Sequence, residues 1–579
     1  MAKKKRRNGS KRSNSQLRPT VNSIVREHLH PRAPSASPLR SEWKRDIESG
    51  RFDEIGALLL EEISVINDSE VGPAFRGVEE GQDAFNKLTI IHNELRLTAE
   101  FTAQVMGTAE WMFWLRRLRG QFAGLNSFAS TEPYVQDLAE ALVMRTSRLS
   151  NPTHDAATHD YDFTHETHSH LMLVHHLAGS IYDVQSAMKR CAKGQKIRFV
   201  PGHIPTWVAD PVLDPILRAW DRRVMVDDVG YLAALGIRDN SKLGQHLEFP
   251  IGGNVPVWRR TRLRKDSRFS VDDPPPYLLG VVNLDVVGSL EIGQPLDEVQ
   301  VALIILLWAC YATLLKDLEQ MRHRATAPTQ WGYFLLQADS TLVPAIEQVI
   351  SELGKNAGAA ISTGRLPRSS FEVIDILTSL RSEIYAPLAG CPIHESGVHA
   401  VVDVFGASDR LLSTLGRPRD GAVRPWTTRF EDDVQRVIDD TAWRPRATVE
   451  SLKKKPLKRR DKSTLTDIDA VAMKGNRLLL VSCKSTPVTL EIARGSFAET
   501  RNARNRAHAY LNEWEGKVQE VRNDPALLGI ALPPGTKIDG CVVFPSVPYF
   551  TEPAGNRRIF GLIPVLLSLS ELERALRKA

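Results

Sequence analysis

With 579 residues, 42% of them hydrophobic and 25% charged, the chain is too long for one ordinary core and too apolar for a disordered one, so two or three globular domains are expected. Nine of its 75 basic residues, Lys3 to Arg26, precede the first acidic residue, Glu27, which leaves 66 basic against 69 acidic residues; the net charge of +6 therefore belongs to a tail. Five scattered cysteines, Cys191, Cys310, Cys391, Cys483 and Cys541, match neither a disulfide framework nor a zinc ribbon and fit reduced thiols in a cytoplasmic protein.

The tail, residues 1–40, is rich in Ser, Asn, Lys and Arg and is expected to be disordered. It could screen phosphates without reading sequence, serve solubility, or act in nuclear import. No apolar run follows it, so no secretory signal is expected. Residues 41–415 read as mainly helical, in one unit or two subdomains. Apolar spacing predicts helices over Ser41 to Asn67, Gln82 to Ala123, Tyr134 to Leu149, Thr164 to Ala192, Leu296 to His323, Leu342 to Leu353 and Phe371 to Tyr385. Such a region would sense a partner protein, form a homodimer or choose a substrate.

Within it, seven of the 16 histidines lie between His154 and His176, among Asp155, Asp160, Asp162 and Glu166. Their spacing matches no known zinc site, so surface helical histidines are the expected reading over a metal cluster. The basic run Trp258 to Arg268 has little aromatic surface and is a weak nucleic-acid signal. Val301 to Leu315 is apolar throughout, but its 15 residues are flanked by Asp297, Glu298, Lys316 and Asp317. That is short for a membrane span of ~20, so a buried core helix and no membrane partner are expected. His394-Glu395 and His399 are five apart with Gly397 between, where a metalloprotease helix needs a separation of four. A Walker phosphate loop and a G-x-S-x-G elbow are both missing, which argues against triphosphate hydrolysis and serine hydrolase chemistry. Residues 416–428, with their prolines and glycines, read as a linker.

The C-terminal part, 429–579, opens with RFEDDVQRVIDD, which puts Phe430, Val434, Val437 and Ile438 at helical spacing with Glu431 near its start. A basic cluster follows, with Lys453, Lys454, Lys455, Lys458, Arg459 and Arg460 at its centre. It ends just before TDIDAVAMKGNRLLLVSCKS, Thr466 to Ser485. There Asp467 and Asp469 alternate with Ile468 and Ala470, so a strand would turn both carboxylates to one face. Lys474-Gly475-Asn476 supplies a turn, and the apolar run Leu478 to Val481 reads as a central strand. That strand delivers Ser482 and Lys484 to one face and Cys483 to the other, so an antiparallel hairpin gathers Asp469, Ser482 and Lys484. Phosphodiester hydrolysis needs a hard cation held by oxygen and a cationic side chain to position water. Asp469 is the candidate ligand and Lys484 the candidate water-positioning group. Taken alone, the segment also fits an ordinary surface hairpin. A long helix, Glu491 to Glu515, then carries Arg494, Arg501 and Arg504, which could extend a phosphate-binding surface with the basic cluster. A strand at Gly540 to Val547, a strand-like RIFGLIPV and a final helix complete the order.

This order and these residues together resemble the PD-(D/E)xK, or restriction-endonuclease-like, nuclease superfamily. The resemblance covers about residues 422–579. It implies an α/β domain with a central mixed sheet behind the helical region, making the whole chain a multidomain α+β protein. Glu431 matches the glutamate often carried by the family's first helix, Asp469 its aspartate, and Lys484 its lysine. The family usually has Glu or Asp two residues before the lysine, where this chain has Ser482; some active relatives tolerate other residues there, and Asp467, Glu491 or Glu499 could supply the displaced carboxylate. The implied catalytic set is Asp469, Lys484, Ser482 and Glu431. Asp469, Asp467 and the Cys483 carbonyl would hold Mg2+ or Mn2+. The implied activity is endonucleolytic hydrolysis of DNA, with RNA left open, in a setting such as prokaryotic defence or genome maintenance. The alternative is a catalytically inactive nucleic-acid-binding or protein-interaction scaffold with the same fold, and Ser482 is the feature that supports it.

Overall fold

The computed structural model describes residues 76–117, 132–146, 165–200, 203–234, 254–259, 278–283, 296–319, 332–356, 366–380, 390–396, 399–415, 423–484, 495–550 and 557–578. The basic tail, the helix expected over Ser41 to Asn67, and Glu491 and Arg494 lie outside them. Among the described residues, helices and small sheets are mixed along the chain, around three large hydrophobic cores and a small cluster of Met112, Tyr333 and Val401.

Around the first core lie β1 (Gly77–Glu79), α1 (Gly81–Ala103), α2 (Thr108–Arg117), α3 (Glu132–Thr146), α4 (His165–Ala192), β2 (Ile197–Phe199) and β3 (Thr206–Trp207), with β2 the strand that buries side chains in it. On α1, Ala84, Leu88, Ile91, Leu95 and Ala99 recur three or four residues apart and are all buried, the stripe that an amphipathic helix presents to a core. The single helix expected over residues 82–123 is instead two. Trp111 Nε1 donates to the Ala103 carbonyl at 2.9 Å, satisfying an acceptor that the end of α1 leaves open. The antiparallel ribbon β1–β2–β3 was not expected, because two or three residues carry no readable alternation.

Beyond α5 (Leu213–Ala234), the second core gathers β4 (Asn254–Arg259), β5 (Leu278–Asn283), α6 (Glu298–Glu319), β6 (Phe334–Gln337), α7 (Val343–Asn356), α8 (Ser370–Ser379), β7 (Ile393–Ser396), β8 (His399–Val402) and α9 (Val404–Thr414). Glu298–Leu315 is long and apolar enough to cross a membrane, and 78% of that stretch is buried inside the fold. Residues Val301 to Tyr311 are buried on every side of α6, as befits a helix apolar all round. Trp258, at the start of the basic run, is 1% exposed and serves this core. His394, Glu395 and His399 lie on the paired strands β7 and β8, in a three-stranded antiparallel sheet of order β6–β8–β7. The region is therefore less purely helical than its spacing suggested.

The third core gathers α10 (Val423–Asp439), β9 (Leu457–Lys458), β10 (Thr464–Thr466), β11 (Ala470–Lys474), β12 (Arg477–Cys483), α11 (Phe497–Asn523), β13 (Lys537–Phe544), β14 (Arg558–Ile559), β15 (Ile563–Pro564), β16 (Leu566–Ser568) and α12 (Leu569–Lys578). Helix α10 begins inside the stretch read as a linker. The sheet runs β11–β12–β13–β16, with β11 antiparallel to β12 and the other pairs parallel. Gly475 alone in the turn has positive φ, +60°, matching the type II′ turn that suits a two-residue hairpin. Strand β12 is buried from Leu478 to Cys483, because neighbours cover it on both faces.

Helix α11 crosses over between β12 and β13 and packs on β13. Gly540 makes that close approach possible: an added Cβ would meet the Val518 side chain, Trp514 Nε1 at 2.7 Å and the Leu480 carbonyl at 3.2 Å. Gly540→Ala is therefore expected to destabilise the domain by about 1–3 kcal/mol through overpacking. Urea unfolding checks this, and an unchanged midpoint would show that α11 can move away freely.

This domain docks on the first core. The Phe85 and Phe497 rings lie 5.9 Å apart, and the Tyr549 hydroxyl donates to the Lys193 carbonyl at 2.8 Å. Arg223 of α5 makes two hydrogen bonds to Glu571 at 2.8 and 2.9 Å and one to the Leu566 carbonyl at 2.9 Å.

Candidate active site

Asp469 stands where the β11–β12 ladder ends. The last pair on that side is Ala470 with Val481, so the next donor facing β11, the Cys483 N–H, has no ladder carbonyl to meet. Asp469 Oδ2 accepts it at 2.6 Å and also accepts the Ser482 hydroxyl at 3.3 Å. Oδ1 has no protein donor among the described residues. A strand residue carries its N–H and C=O on the same side, so the Cys483 carbonyl faces the space beside this carboxylate. Its thiol is buried in the third core.

The hairpin thus brings Asp469, Ser482 and Lys484 together, but Asp467 is not on the same strand. β10 ends at Thr466, Ile468 is fully buried, and the Ile468 carbonyl accepts the Lys454 N–H at 2.8 Å. The chain bends at Asp469, leaving Asp467 exposed between strands. Its charge still acts on both Asp469 and Glu431.

Glu431 comes from α10, which buries Phe430, Val434 and Ile438. One turn after Glu431, Gln435 clamps the helix to β11, accepting the Val471 N–H at 3.0 Å and donating to its carbonyl at 3.2 Å. As β11 is an edge strand, this amide also satisfies backbone groups that would otherwise be left open. Gln435 was not singled out from sequence, although its place four residues after Glu431 is the available signal.

Burial raises the Asp469 carboxyl, while the Cys483 N–H and the Lys484 charge pull it down and Asp467 pushes it up. Burial also raises Glu431, followed by repulsion from Asp469. Both groups therefore hold protons more tightly folded than unfolded. Their penalty is absent below the unfolded carboxylate values of about 3.9–4.3, and stability falls as pH rises through the raised folded values. Asp469→Asn keeps an oxygen acceptor without the charge. It is expected to be more stable than the parent at pH 7 by about 1 kcal/mol, the usual size for a stabilising substitution. The gap should close near pH 4. Urea titrations at both pH values check this; a less stable variant at pH 7 would overturn the electrostatic account.

Lys484 is held at the end of β12 by its N–H bond to the Val543 carbonyl at 2.9 Å. Its Nζ lies 5.2 Å from the centroid of the Tyr510 ring on α11, a cation–π contact that sequence reading missed. Its charge acts on Asp469 and also on Glu513. Glu499 lies in the first turn of α11 and faces Arg506 at 3.8 Å, and it is not among the groups acting on Asp469 or Glu431.

The basic cluster is partly neutralised from within. Lys453 and Lys454 both reach Asp432, at 2.9 and 3.1 Å, Arg459 pairs with Glu520 at 2.8 Å, and Arg460 with Asp524 at 2.9 Å. Lys455, Lys458, Arg501 and Arg504 have no ion-pair partner among the described residues. Among the described residues no group of three His, Cys, Asp or Glu side chains is assembled to hold a metal; His154 and His159 lie outside them. His175 is buried, and desolvation followed by the nearby His176 lowers it to about 3. No protein-family model, curated protein or solved structure matches this chain, so its site is read from its own geometry.

Proposed function

We propose that the C-terminal domain is a restriction-endonuclease-like nuclease that hydrolyses DNA phosphodiester bonds with Mg2+ or Mn2+. The observation that carries this reading is Asp469 at the ladder's end, engaged by Cys483 through one oxygen, with the Lys484 charge acting on it and its own charge acting on Glu431.

The donor set fits a hard cation. Asp469, Glu431 and the Cys483 carbonyl are all oxygen donors. Both carboxylates are raised by burial first, with Asp467 repelling Asp469 and Asp469 repelling Glu431, and positive charge would relieve them. Mg2+ is commonly held by one or two carboxylates with waters and substrate phosphates filling the rest, so a three-side-chain cage is not required. When bound, such an ion supplies Lewis-acid stabilisation of charge on the phosphate.

The chain's own residues supply the rest. Ser482, 4% exposed, donates to Asp469 and fixes its rotamer. Lys484, steadied by Tyr510, orients the attacking water and offers charge to the phosphate. Lys455, Lys458, Arg501 and Arg504 hold backbone phosphates, while the paired Lys453, Lys454, Arg459 and Arg460 contribute less. In this reading the helical region selects the substrate or senses a partner.

Incubation with supercoiled plasmid, linear DNA and single-stranded RNA, with Mg2+ or Mn2+ and with chelator, tests the reading. Metal-dependent cutting is expected and would name the substrate. DNA binding without cutting under any of these conditions favours the inactive scaffold, the reading that Ser482 supports.

A further inference from the structure

The junction between the first core and the nuclease-like domain carries a second basic cluster. Lys189 and Arg190 lie in the last turn of α4, and Lys193 just beyond it. The Lys193 Nζ is 4.0 Å from the centroid of the Trp220 ring and 6.0 Å from that of Tyr549. Arg190 lies 5.5 Å from the centroid of the half-exposed Trp207 ring. Arg504 lies on α11, which packs against α4, and its charge acts with those of Arg190 and Asp221 on the Tyr549 hydroxyl.

One carboxylate, Asp221, is paired with two of these four cations. It meets Lys193 at 3.3 Å and Arg190 at 3.4 Å, longer than the about 2.7–2.9 Å of a tight charge-assisted bond. Burial lowers Lys189, and burial followed by the offsetting Asp221 and the neighbouring cations sets Lys193 at about 8. Trp220 Nε1 is buried without a hydrogen-bond partner among the described residues. A half-buried site with three cations in excess is under-compensated unless an anion joins it.

Its position says which anion. Lys484 and Tyr549 both follow the C-terminal ends of the adjacent parallel strands β12 and β13, the edge at which open α/β sheets bind ligands. Arg504 and Tyr510 are six residues apart on α11, or about 9 Å along the axis. Along a duplex axis, where each strand adds a phosphate every ~3.4 Å, such a rise corresponds to about two to three phosphates.

We propose that Lys189, Arg190, Lys193 and Arg504 form a phosphate-binding site that holds the backbone of the nucleic-acid strand to one side of the bond being cut. The identity of the strand rests on the nuclease reading; the site itself rests on the junction. The test uses the full chain carrying Asp469→Asn, so that binding is measured without cutting. Binding of a labelled single-stranded oligonucleotide and of its duplex is followed by fluorescence anisotropy across a salt series.

Adding Arg190→Gln and Lys193→Gln together is expected to weaken binding about tenfold and to reduce the slope of log affinity against log salt by about 2. Arg504→Gln alone should reduce it by about 1. Tyr549→Phe removes only the bond to the Lys193 carbonyl and should leave the slope unchanged, which separates charge from packing. Unchanged affinity and slope in the double variant, or in Arg504→Gln if the double variant fails to fold, overturn the proposal. A parent that binds through these cations yet never cuts would sink the nuclease reading alone. A parent that cuts while its binding ignores them would sink this one alone.

Discussion

Asp469→Asn and Lys484→Ala are each expected, on the nuclease activity proposed above, to lower metal-dependent cleavage on the order of 10³-fold, with the fold preserved. A bound cation and a charged water-positioning group each supply several kcal/mol to a phosphoryl transition state, and about 1.4 kcal/mol is a factor of ten. Asparagine still accepts from the Cys483 N–H and the Ser482 hydroxyl, so the strand end stays capped while the anionic ligand is lost. Alanine at 484 leaves the backbone bond to Val543 intact and removes only the amine. Ser482→Ala should cost far less, about tenfold, because it deletes one 3.3 Å bond to a carboxylate that Cys483 still anchors. Single-turnover cleavage of a saturating DNA substrate gives all three rates. Parent-like cutting by Lys484→Ala would remove it from the chemistry. Equal losses in Ser482→Ala and Asp469→Asn would mean that placement of the carboxylate matters as much as its charge.

Local pattern made much of the C-terminal domain legible and left its long-range pairings hidden. The apolar run before Cys483 and the turn at Gly475 announce a hairpin, and its register follows from the turn length, which sets Asp469 opposite Ser482. The bend at Asp469 was not legible. It comes from Ile468 bridging to Lys453, a contact that no alternation of side chains signals, and it takes Asp467 off the strand. The basic cluster looked like free charge because its partners sit elsewhere: Asp432 on α10, Glu520 on α11 and Asp524 just after it. In the helical region, β6 pairs with β8 across more than 60 intervening residues, and four-residue strands offer too little alternation to stand against stronger helical spacing nearby. Lys193 and Tyr549 are 356 residues apart in sequence, so their meeting was beyond any local reading.

Arg116→Ala is expected to be the most destabilising single change in the two N-terminal cores, at about 3–5 kcal/mol. The Arg116 side chain is 1% exposed, on α2 of the first core. Its Nε donates to Glu140 of α3 at 2.8 Å, and a terminal nitrogen donates to both oxygens of Asp403 at 3.0 Å. Asp403 caps α9 of the second core by accepting the Gly406 N–H at 2.9 Å, and the guanidinium lies 5.1 Å from the centroid of the Phe405 ring. Removing the cation takes the guanidinium charge from two buried carboxylates on opposite sides of the seam between the cores, while the neutral donors Gln136 and the Gly406 N–H remain. Arg116→Lys should recover part of the loss, since one ammonium cannot match the planar fork that reaches both acids. If the cost arises from uncompensated charge, the triple variant Arg116→Met, Glu140→Gln, Asp403→Asn should come back to within about 1–2 kcal/mol of the parent, because neutral replacement of a buried ion triad is often close to neutral. Urea unfolding followed by tryptophan fluorescence distinguishes these outcomes. A separate, earlier transition in Arg116→Ala would show that this one side chain makes the two cores unfold together. Parent-like unfolding would place their coupling in the apolar contacts instead.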